Sequence, residues 1–253
     1  MAEIVVNTKD LTKVYSSFRG AATVDALKGI NLTVKKGDFI AIMGASGSGK
    51  TSLLNLLSGI DTPTSGDIII DNIDLSKMKK DELSLFRREN SGFVFQDYNL
   101  LDSLTVEENI GLPLILSKEK SGIIKEECNK VMKFVGIGDL NKKYPYNISG
   151  GQKQRVAIAR AIINNPSIIY ADEPTGNLDS KATKRIMDIL CKMNVELKST
   201  ILMVTHDPYS ASFCSKVTFI KDGNIESEIA SKGNRDTFFR EIIALQSHIA
   251  GEE

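Results

Sequence analysis

The sequence predicts an α/β fold with a small antiparallel sheet near the N-terminus and an inserted helical subdomain. Short apolar runs bounded by turn residues indicate buried strands, and such runs occupy residues 39–43, 92–95, 167–171 and 200–204. Helical patterns lie between these runs, as they do in α/β chains. Over residues 97–165 the pattern is mostly helical, which predicts a subdomain inserted into the α/β chain.

Length and composition fit a soluble globular protein. The 253 residues can form one large α/β domain or two small ones. Lys and Arg together number 32, as do Asp and Glu, so no net positive charge draws the chain to nucleic acid and we expect no such partner. Cys128, Cys191 and Cys214 lack metal-site or redox-motif spacing, which predicts buried thiols in a reducing compartment.

Short strands are predicted at the N-terminus. Residues 4–7, 24–27 and 30–34 alternate or cluster apolar side chains. Turn signals at Gly29 and at residues 35–38 separate or end these strands. The three strands are predicted to form a small antiparallel layer.

The next segment, residues 44–51, reads Gly-Ala-Ser-Gly-Ser-Gly-Lys-Thr and matches the phosphate-loop pattern G-x-x-x-x-G-K-[ST] at every position. A predicted strand at 39–43 precedes it and a helix is predicted from Lys50. In this setting the backbone N–H groups of the loop converge on phosphate oxygens at a helix N-terminus. Lys50 is predicted to reach the β- and γ-phosphates, and the Thr51 hydroxyl to contact Mg²⁺.

The chain then alternates between helix and strand. A helix is predicted over residues 51–58, a strand over 67–70 and a second helix over 81–89. The buried strand at 92–95 delivers Gln96 at its C-terminal end.

The helical subdomain contains recognisable helix starts. Thr105 and Glu108 match a capping box, and residues 125–135 form an amphipathic pattern. Residues 149–155 read Ser-Gly-Gly-Gln-Lys-Gln-Arg, in which Ser149 is a predicted N-cap. The glycine pair leaves backbone N–H groups available at this helix start, which makes it a second potential anion site.

An acidic pair follows the strand at 167–171. Two adjacent carboxylates are costly to bury without a cation or a proton. A metal ion beside the phosphates removes that cost: Asp172 would hold Mg²⁺ through water, and Glu173 would polarise an attacking water as general base. The alternative is a strand that leaves the core and ends in two solvated acids.

The last third of the chain completes the predicted sheet. A helix over residues 179–197 leads to the strand at 200–204, and His206 follows. A single histidine is more often structural than chemical, but several predicted strands end in polar groups on one edge of the sheet, where ligands bind in open α/β sheets. A hairpin over 216–229 and an amphipathic helix over 234–249 end the pattern.

These motifs, in this order, resemble those of ATP-binding cassette (ABC) ATPases over nearly the whole chain. The resemblance is carried by residues 44–51, Gln96, 148–152, 170–173 and His206. It implies an α/β P-loop NTPase core of the RecA-like type, with an N-terminal antiparallel β subdomain and the helical subdomain at 97–165. Residues 1–253 would then form a single ABC nucleotide-binding domain.

The resemblance implies a role for each matching residue. Glu173 matches the catalytic base, His206 the contact to the γ-phosphate, and Gln96 the contact to Mg²⁺ and the attacking water. The implied metal-binding residues are Thr51, Gln96 and Asp172. Tyr15, whose spacing alone favours the core, matches the aromatic residue that stacks on adenine. The implied nucleotide-binding residues are Tyr15, Gly44, Ala45, Ser46, Gly47, Ser48, Gly49, Lys50, Thr51 and Ser52.

The resemblance also implies a composite site. The signature residues of this family bind the γ-phosphate of ATP held by the other subunit, and here they are Ser149, Gly150, Gly151 and Gln152. Asn177 and Asp179 match the loop that crosses the dimer. Two chains would pair head to tail around two ATP molecules. The chain departs from the usual pattern at Ile148 and at residues 176–177, without loss of a functional group.

Within the family, the chain is similar to lipoprotein-release, macrolide-export and antimicrobial-peptide-resistance cassettes, and most similar to the bacitracin/lantibiotic-resistance group. This finer resemblance is carried by residues 43–51, 86–102, 149–155, 172–180 and 206–214. It implies a homodimer on the cytoplasmic face of the cell membrane. The implied partners are an integral-membrane permease and, through it, a sensor histidine kinase. The groove that receives the permease is expected beside Gln96, formed by residues 97–104 and the neighbouring surface of the helical subdomain, with Tyr98 and Asn99 exposed there.

Other classes fit less well. A soluble chromosome- or repair-type ABC protein would carry a long coiled coil or extra domains between the phosphate loop and the signature. The interval between residues 50 and 148 is too short for these and contains no sustained heptads. A nucleotide switch that does not hydrolyse ATP would not need every catalytic position intact. No apolar run approaches the roughly 18 residues that cross a bilayer, and no secretory signal is predicted, so a partner would have to hold the chain at a membrane.

Overall fold

The computed structural model describes residues 3–16 and 23–251. The strands are β1 (Ile4–Ser16), β2 (Thr23–Ile30), β3 (Thr33–Lys35), β4 (Phe39–Met43), β5 (Ser65–Ile70), β6 (Ile73–Asp74), β7 (Ser91–Val94), β8 (Ile168–Asp172), β9 (Ile201–Val204), β10 (Lys216–Lys221) and β11 (Asn224–Ala230). The α-helices are α1 (Lys50–Leu57), α2 (Lys80–Asn90), α3 (Val106–Leu116), α4 (Ser121–Phe134), α5 (Gly150–Ile162), α6 (Ser180–Glu196), α7 (Pro208–Ala211) and α8 (Arg235–Ala250).

A six-stranded sheet lies at the centre of the fold in the order β11-β10-β4-β9-β8-β7, and every pair is parallel except β10 with β11. All five residues of β4 are buried. Phe39, Ala41 and Met43 face one hydrophobic cluster, whereas Ile40 and Ile42 face another, because successive side chains of a strand point to opposite faces. The central sheet is therefore covered on both faces, as the sequence predicted for an α/β fold.

A second sheet covers one face of the centre, in the order β2-β1-β5-β6 with β3 also paired to β1. It confirms the predicted antiparallel layer, but the strand boundaries differ, and the strand predicted at 24–27 spans Thr23–Ile30. The strand predicted at 4–7 continues to Ser16, and the strand predicted at 30–34 is interrupted. Thr8 Oγ1 accepts a hydrogen bond from Leu32 N–H (2.8 Å) and donates one to the Ile30 carbonyl (2.9 Å), which takes residues 31–32 out of the ladder.

The helical subdomain contains α3, α4 and the start of α5, and its core includes Val106, Ile110 and Met132. The predicted capping box is present, since Thr105 N–H donates to Glu108 Oε2 (2.8 Å) and Glu108 N–H donates to Thr105 Oγ1 (3.3 Å). Cys128 and Cys214 are buried, as predicted, whereas Cys191 is half-buried. Burial raises the pKa of Cys128 and of Cys191 to about 11.

The C-terminal hairpin and helix complete the core. Asp222 (φ 48°) and Gly223 (φ 81°) both take positive φ in the tight turn between β10 and β11, as a type I′ turn requires. Helix α8 begins after Asn234, whose side chain caps it, and buries Phe238 and Ile242. Across residues 3–16 and 23–251, no helix is both long enough and apolar enough to span a membrane.

Candidate nucleotide-binding site

Four parallel strands deliver polar residues to one edge of the central sheet. The loop at 44–49 follows β4 and Gln96 lies just beyond β7, while Asp172 ends β8 and His206 lies just beyond β9. Because parallel strands end at the same edge, these residues meet where open α/β sheets bind ligands.

The phosphate loop is shaped by its glycines and by neighbouring strands. Gly49 has φ +108°, and a Cβ there would lie 2.5 Å from the carbonyl oxygen of Ala26, so a larger residue does not fit. The loop is also fastened from outside: Gly223 N–H donates to the Ser48 carbonyl (3.1 Å), and Lys28 N–H donates to the Gly223 carbonyl (2.9 Å). The backbone of the loop is therefore held in shape by β2 and by the C-terminal hairpin.

Lys50 bends back over this loop. Its ammonium group donates to the carbonyl oxygens of Gly44 (2.9 Å) and Ala45 (2.7 Å). Burial lowers the pKa of Lys50, although the nearby carboxylates of Glu173 and Asp172 oppose that shift. A half-buried ammonium group held by two neutral oxygens can form stronger, charge-assisted hydrogen bonds with an anion, so this position suits phosphate oxygens.

The acidic pair lies opposite Lys50. Burial raises the pKa of Asp172, the Glu173 carboxylate raises it further, and Lys50 opposes both. Glu173 has φ 45°, a left-handed conformation that a non-glycine residue adopts at a cost, and its N–H donates to the Val204 carbonyl (2.9 Å). The Glu173 side chain is 16% exposed. Both groups are at least half-buried, so the alternative of two freely solvated acids does not fit.

Two neighbours fix the Glu173 carboxylate. One oxygen, Oε1, lies 2.8 Å from Nδ1 of His206, and the other accepts a 3.3 Å hydrogen bond from the Thr205 hydroxyl. The His206 side chain is 72% exposed and so remains accessible to a ligand. Glu173 and His206, which the sequence placed on separate strands, are thus in direct contact.

Gln96 contacts the segment after the acidic pair. Its Nε2 donates to Oδ1 of Asn177 (3.3 Å), and Asn177 Nδ2 donates to Asp97 Oδ1 (2.9 Å). A Cβ on Gly176, where the chain departs from the family pattern, would lie 3.0 Å from Gln96 Nε2, so a larger residue there would require the Gln96 side chain to shift. Asp179 caps α6 by accepting from Ala182 N–H (2.8 Å).

The signature segment forms a separate surface. Ser149 caps α5 as predicted: its N–H donates to Gln152 Oε1 (2.8 Å), and Gln152 N–H donates to Ser149 Oγ (3.4 Å). A cavity of about 270 Å³ opens beside this helix start and is lined by Ser149, Gly151, Arg155, Asp179, Lys181 and Arg185, among others. None of its lining residues belongs to the phosphate loop, so one chain does not bring these two predicted phosphate contacts together.

The tyrosine ahead of the phosphate loop is exposed. Tyr15 is 39% exposed, and the core position favoured by spacing alone was wrong, because β1 extends past the sheet core. A cavity of about 530 Å³ joins Tyr15 to Gly47, Gly49, Lys50 and Thr51. An aromatic platform and a phosphate loop therefore share one cavity.

Gln154 is a residue that the sequence analysis missed. It is fully buried on α5, and its Nε2 donates to the carbonyl oxygens of Pro174 (2.7 Å) and Phe95 (3.2 Å). It thereby joins the signature helix to the residues that flank Gln96 and Glu173. Its local pattern carried no signal, since it stands among polar residues at a helix start.

A second groove, of about 670 Å³, lies between α2, α3, α5 and β7. Its apolar lining residues include Phe93, Phe95, Leu112, Pro113 and Leu116, and three arginines also line it. Of residues 97–104, expected to form the permease groove with the neighbouring helical subdomain, Asn99 alone lines this groove, and Leu112, Pro113 and Leu116 supply helical-subdomain surface. The position of the permease stays a prediction. Tyr98, expected to be exposed, is half-buried and would lie 2.9 Å from a Cβ on Gly150, and its carbonyl accepts from Arg160 (2.9 Å).

A magnesium ion fits the donors at the sheet edge. Within the described residues, no three His, Cys, Asp or Glu side chains are grouped as a metal cage. Mg²⁺ prefers few protein oxygens together with substrate phosphates and water. The half-buried Asp172 carboxylate, whose pKa is raised, the Thr51 hydroxyl and Gln96 supply such a set.

Asp172→Asn is expected to raise the thermal unfolding midpoint at pH 7 in buffer without magnesium or nucleotide. Folding raises the pKa of Asp172, so the folded state disfavours the ionised carboxylate. The resulting loss of stability grows as the pH rises through the pKa of the folded state, and it vanishes below the unfolded pKa of about 4. The rise in the unfolding midpoint caused by Asp172→Asn should therefore shrink as the pH falls towards 4. The exposed Asp188→Asn is the control, and an unchanged or lower midpoint for Asp172→Asn at pH 7 contradicts the expectation.

Comparison with known proteins adds sequence and structural relatives. A family model described as ABC transporter matches residues 27–176. The ABC transporter ATP-binding protein YxdL of Bacillus subtilis is 48% identical over 247 residues, covering 98% of this chain and 96% of the relative. The bacitracin export ATP-binding protein BceA of Halalkalibacterium halodurans is 51% identical over 229 residues, covering 90% of each.

A solved structure agrees with these relatives. It is a dimeric, post-hydrolysis state of the ATP-binding cassette MJ0796 of Methanocaldococcus jannaschii, bound to ADP and Pi. It has a TM-score of 0.82 and 42% sequence identity, and covers 90% of this chain and 100% of that one. The fold described above is therefore that of a nucleotide-binding cassette.

Proposed function

This chain belongs to the ABC transporter family and is an ATPase, and we propose that it is the subunit that hydrolyses ATP to drive a membrane permease. One observation carries the proposal: the phosphate loop and Tyr15 line one cavity, whereas the signature lines another cavity, together with three cationic side chains. Two such chains, paired head to tail, complete two sites. The whole of residues 1–253 would act as one nucleotide-binding domain.

We propose roles for the residues at the sheet edge. Lys50 would exchange its bonds with the loop carbonyls for bonds to the β- and γ-phosphates, and Tyr15 would stack on adenine. Glu173, oriented by Thr205 and His206, would accept the proton of the attacking water as general base. When bound, Mg²⁺, held by Thr51, Gln96 and Asp172, supplies positive charge beside the phosphates.

The signature residues would act on the ATP of the partner chain. The start of α5 presents backbone N–H groups, and the cations Arg155, Lys181 and Arg185 line the same cavity, which suits the γ-phosphate held by a second copy. The dimeric relative bound to ADP and Pi supports this arrangement. Loss of the γ-phosphate would remove the bridge between the two chains and let them separate.

The groove of Phe93, Phe95, Leu112 and Leu116 is the surface we assign to the permease. Its apolar floor and arginine rim suit an amphipathic cytoplasmic helix with acidic residues, which would hold the chain at the inner face of the cell membrane. Leu116 is 56% exposed at the groove, so it is available to such a partner.

We further propose that the transport concerns antimicrobial peptides of the bacitracin/lantibiotic type. The 51% identity with a bacitracin export protein supports this class over macrolide export and lipoprotein release, which remain the alternatives. A sensor histidine kinase, associated through the permease, is part of the same proposal.

The test is affinity capture of the chain from gently solubilised membranes, using the wild type and Leu116→Glu. The wild type is expected to retain a permease with a large extracellular domain, with or without a histidine kinase. Leu116→Glu should lose most of it, because a charge in an apolar groove is costly to bury. Leu197→Glu is the matched control, since Leu197 is 48% exposed outside the groove and should not affect capture.

The results of the capture experiment distinguish the proposed transport classes and test the proposed permease surface. A short four-helix permease with a periplasmic adaptor would favour macrolide-type or lipoprotein-type transport. Capture of soluble proteins alone would contradict the assignment to a membrane permease, and only the assignment as an ATPase would stand. Equal capture by Leu116→Glu and the wild type would place the permease elsewhere on the chain.

A further inference from the structure

A buried lysine lies against the face of Tyr15. Lys13 is 9% exposed, and a lysine is almost never buried unless it is paired. Its ammonium group donates to Asp61 Oδ1 (2.8 Å) and to the Thr62 carbonyl (2.7 Å), and it lies 4.8 Å from the centre of the Tyr15 ring. At that distance the cation attracts the ring face.

Asp61 holds the other end of the same ring. Its Oδ2 accepts the Tyr15 hydroxyl (3.0 Å), while Oδ1 accepts both Lys13 and the N–H of Thr62 (2.7 Å). Burial would raise the pKa of Asp61, but hydrogen bonds from Lys13, Thr62 and Tyr15 outweigh it and the pKa is lowered. The carboxylate is therefore ionised at neutral pH and is fully partnered by these three residues.

This cluster connects Tyr15 to the phosphate loop through α1. The N–H of Asp61 donates to the carbonyl of Asn55, within α1 (3.0 Å), and α1 begins at Lys50. The cavity that Tyr15 lines is also lined by Lys50. One end of α1 is thus fixed to the aromatic ring and the other end forms the phosphate loop.

We propose that Asp61 and Lys13 are positioning residues that fix the Tyr15 ring, relative to the phosphate loop, as a preformed platform for the nucleobase. The inference rests on the proposed function, because it assumes that Tyr15 stacks on the base of ATP. Neither residue touches ATP. Each acts through Tyr15, by removing the rotamers in which the ring would leave the cavity.

The test measures the binding of ATP and of inorganic tripolyphosphate, which has no base, to the full-length chain by calorimetry. Tyr15→Ala is expected to weaken ATP binding about tenfold, in the range of one lost base-stacking contact. Asp61→Asn and Lys13→Met should each weaken ATP binding by several fold, but no more than Tyr15→Ala. Tripolyphosphate binding should be unchanged in all three variants.

Two further variants keep the result interpretable. Tyr15→Phe removes the hydroxyl bond to Asp61 and leaves the buried charges paired, so it should fold and weaken ATP binding to a smaller extent. Adding Asp61→Asn to Tyr15→Ala should cause no further loss, because the two residues act through one contact. Glu3→Gln is the control, since it removes an exposed ion pair with Lys36 near the other end of β1.

Each outcome bears on a separate claim. If the wild type bound no ATP, or if Tyr15→Ala bound it normally, the proposed nucleotide contact would fail. If Tyr15→Ala weakened ATP binding while Asp61→Asn, Lys13→Met and Tyr15→Phe did not, the positioning role alone would be overturned. Equal loss of ATP and tripolyphosphate binding in Asp61→Asn, or additive loss in the double variant, would show general damage and overturn it as well.

Discussion

Glu173→Gln is expected to abolish ATP turnover while ATP still holds two chains together. The amide retains the shape of the carboxylate and can still accept from Thr205, but it cannot take a proton from water. Loss of a general base typically costs about 10²- to 10⁴-fold, so phosphate release should fall at least about 100-fold. Bound ATP then persists, and size-exclusion chromatography with ATP should show a dimer that the wild type forms only briefly.

The exposed Glu196→Gln is the matched control, because it makes the same chemical change on α6, away from the site. It should turn over ATP like the wild type. Activity of Glu173→Gln within a few fold of the wild type would remove Glu173 from the role of base. Loss of activity without an ATP-dependent dimer would be consistent with Glu173 as the general base but would contradict the bridging role of ATP.

Lys50→Met is expected to lower ATP turnover at least about 100-fold, the usual cost of removing one preorganised charge contact from a transferring phosphoryl group. The variant should fold normally. Burial lowers the pKa of Lys50, so folding disfavours its charged form, and removal of this penalty offsets the loss of the hydrogen bonds to Gly44 and Ala45. The methionine covers a similar length of the loop. Calorimetry with ATP measures the lost affinity, and thermal unfolding without nucleotide should show an unchanged midpoint.

Lys184→Met, on the exposed face of α6, is the comparison for Lys50→Met and should retain full activity. Normal ATP affinity and turnover in Lys50→Met would contradict the assignment of the phosphate loop. A lowered unfolding midpoint without nucleotide would show that Lys50 supports the fold through Gly44 and Ala45, and the loss of activity would then need another explanation.

The sequence predicted features that depend on neighbours along the chain. The capping box at Thr105, the N-cap at Ser149, the hairpin over 216–229 and the strand before the phosphate loop were confirmed, because each is set by residues a few positions apart. The α/β class was predicted for the same reason, since apolar runs and helical patterns alternate throughout. Boundaries shifted by one to four residues at most of these elements.

Features made by distant contacts escaped prediction. The break after Ile30 depends on the hydroxyl of Thr8, and the hydrogen bond that holds the Tyr15 hydroxyl is made to Asp61, far along the chain. Gln154 is important because its side chain donates hydrogen bonds to the carbonyls of Phe95 and Pro174, which lie far from it in sequence. The full lining of the groove that we assign to the permease was not predicted either, because helices α2, α3 and α5, distant in sequence, form it together. In each case tertiary packing decided the outcome and local spacing carried no information.

Helix α5 links the signature rigidly to the segment that carries Gln96. Its 13 residues form a stiff rod about 20 Å long, with the signature at one end. The Gln154 side chain donates hydrogen bonds to the carbonyls of Phe95 and Pro174, and the Arg160 side chain donates to those of Tyr98 and Asn99. A tilt of this rod would therefore displace the segment carrying Gln96 together with the signature. Under the proposed function, the Mg²⁺ contact of one site and the signature contact to the partner's ATP would then move together.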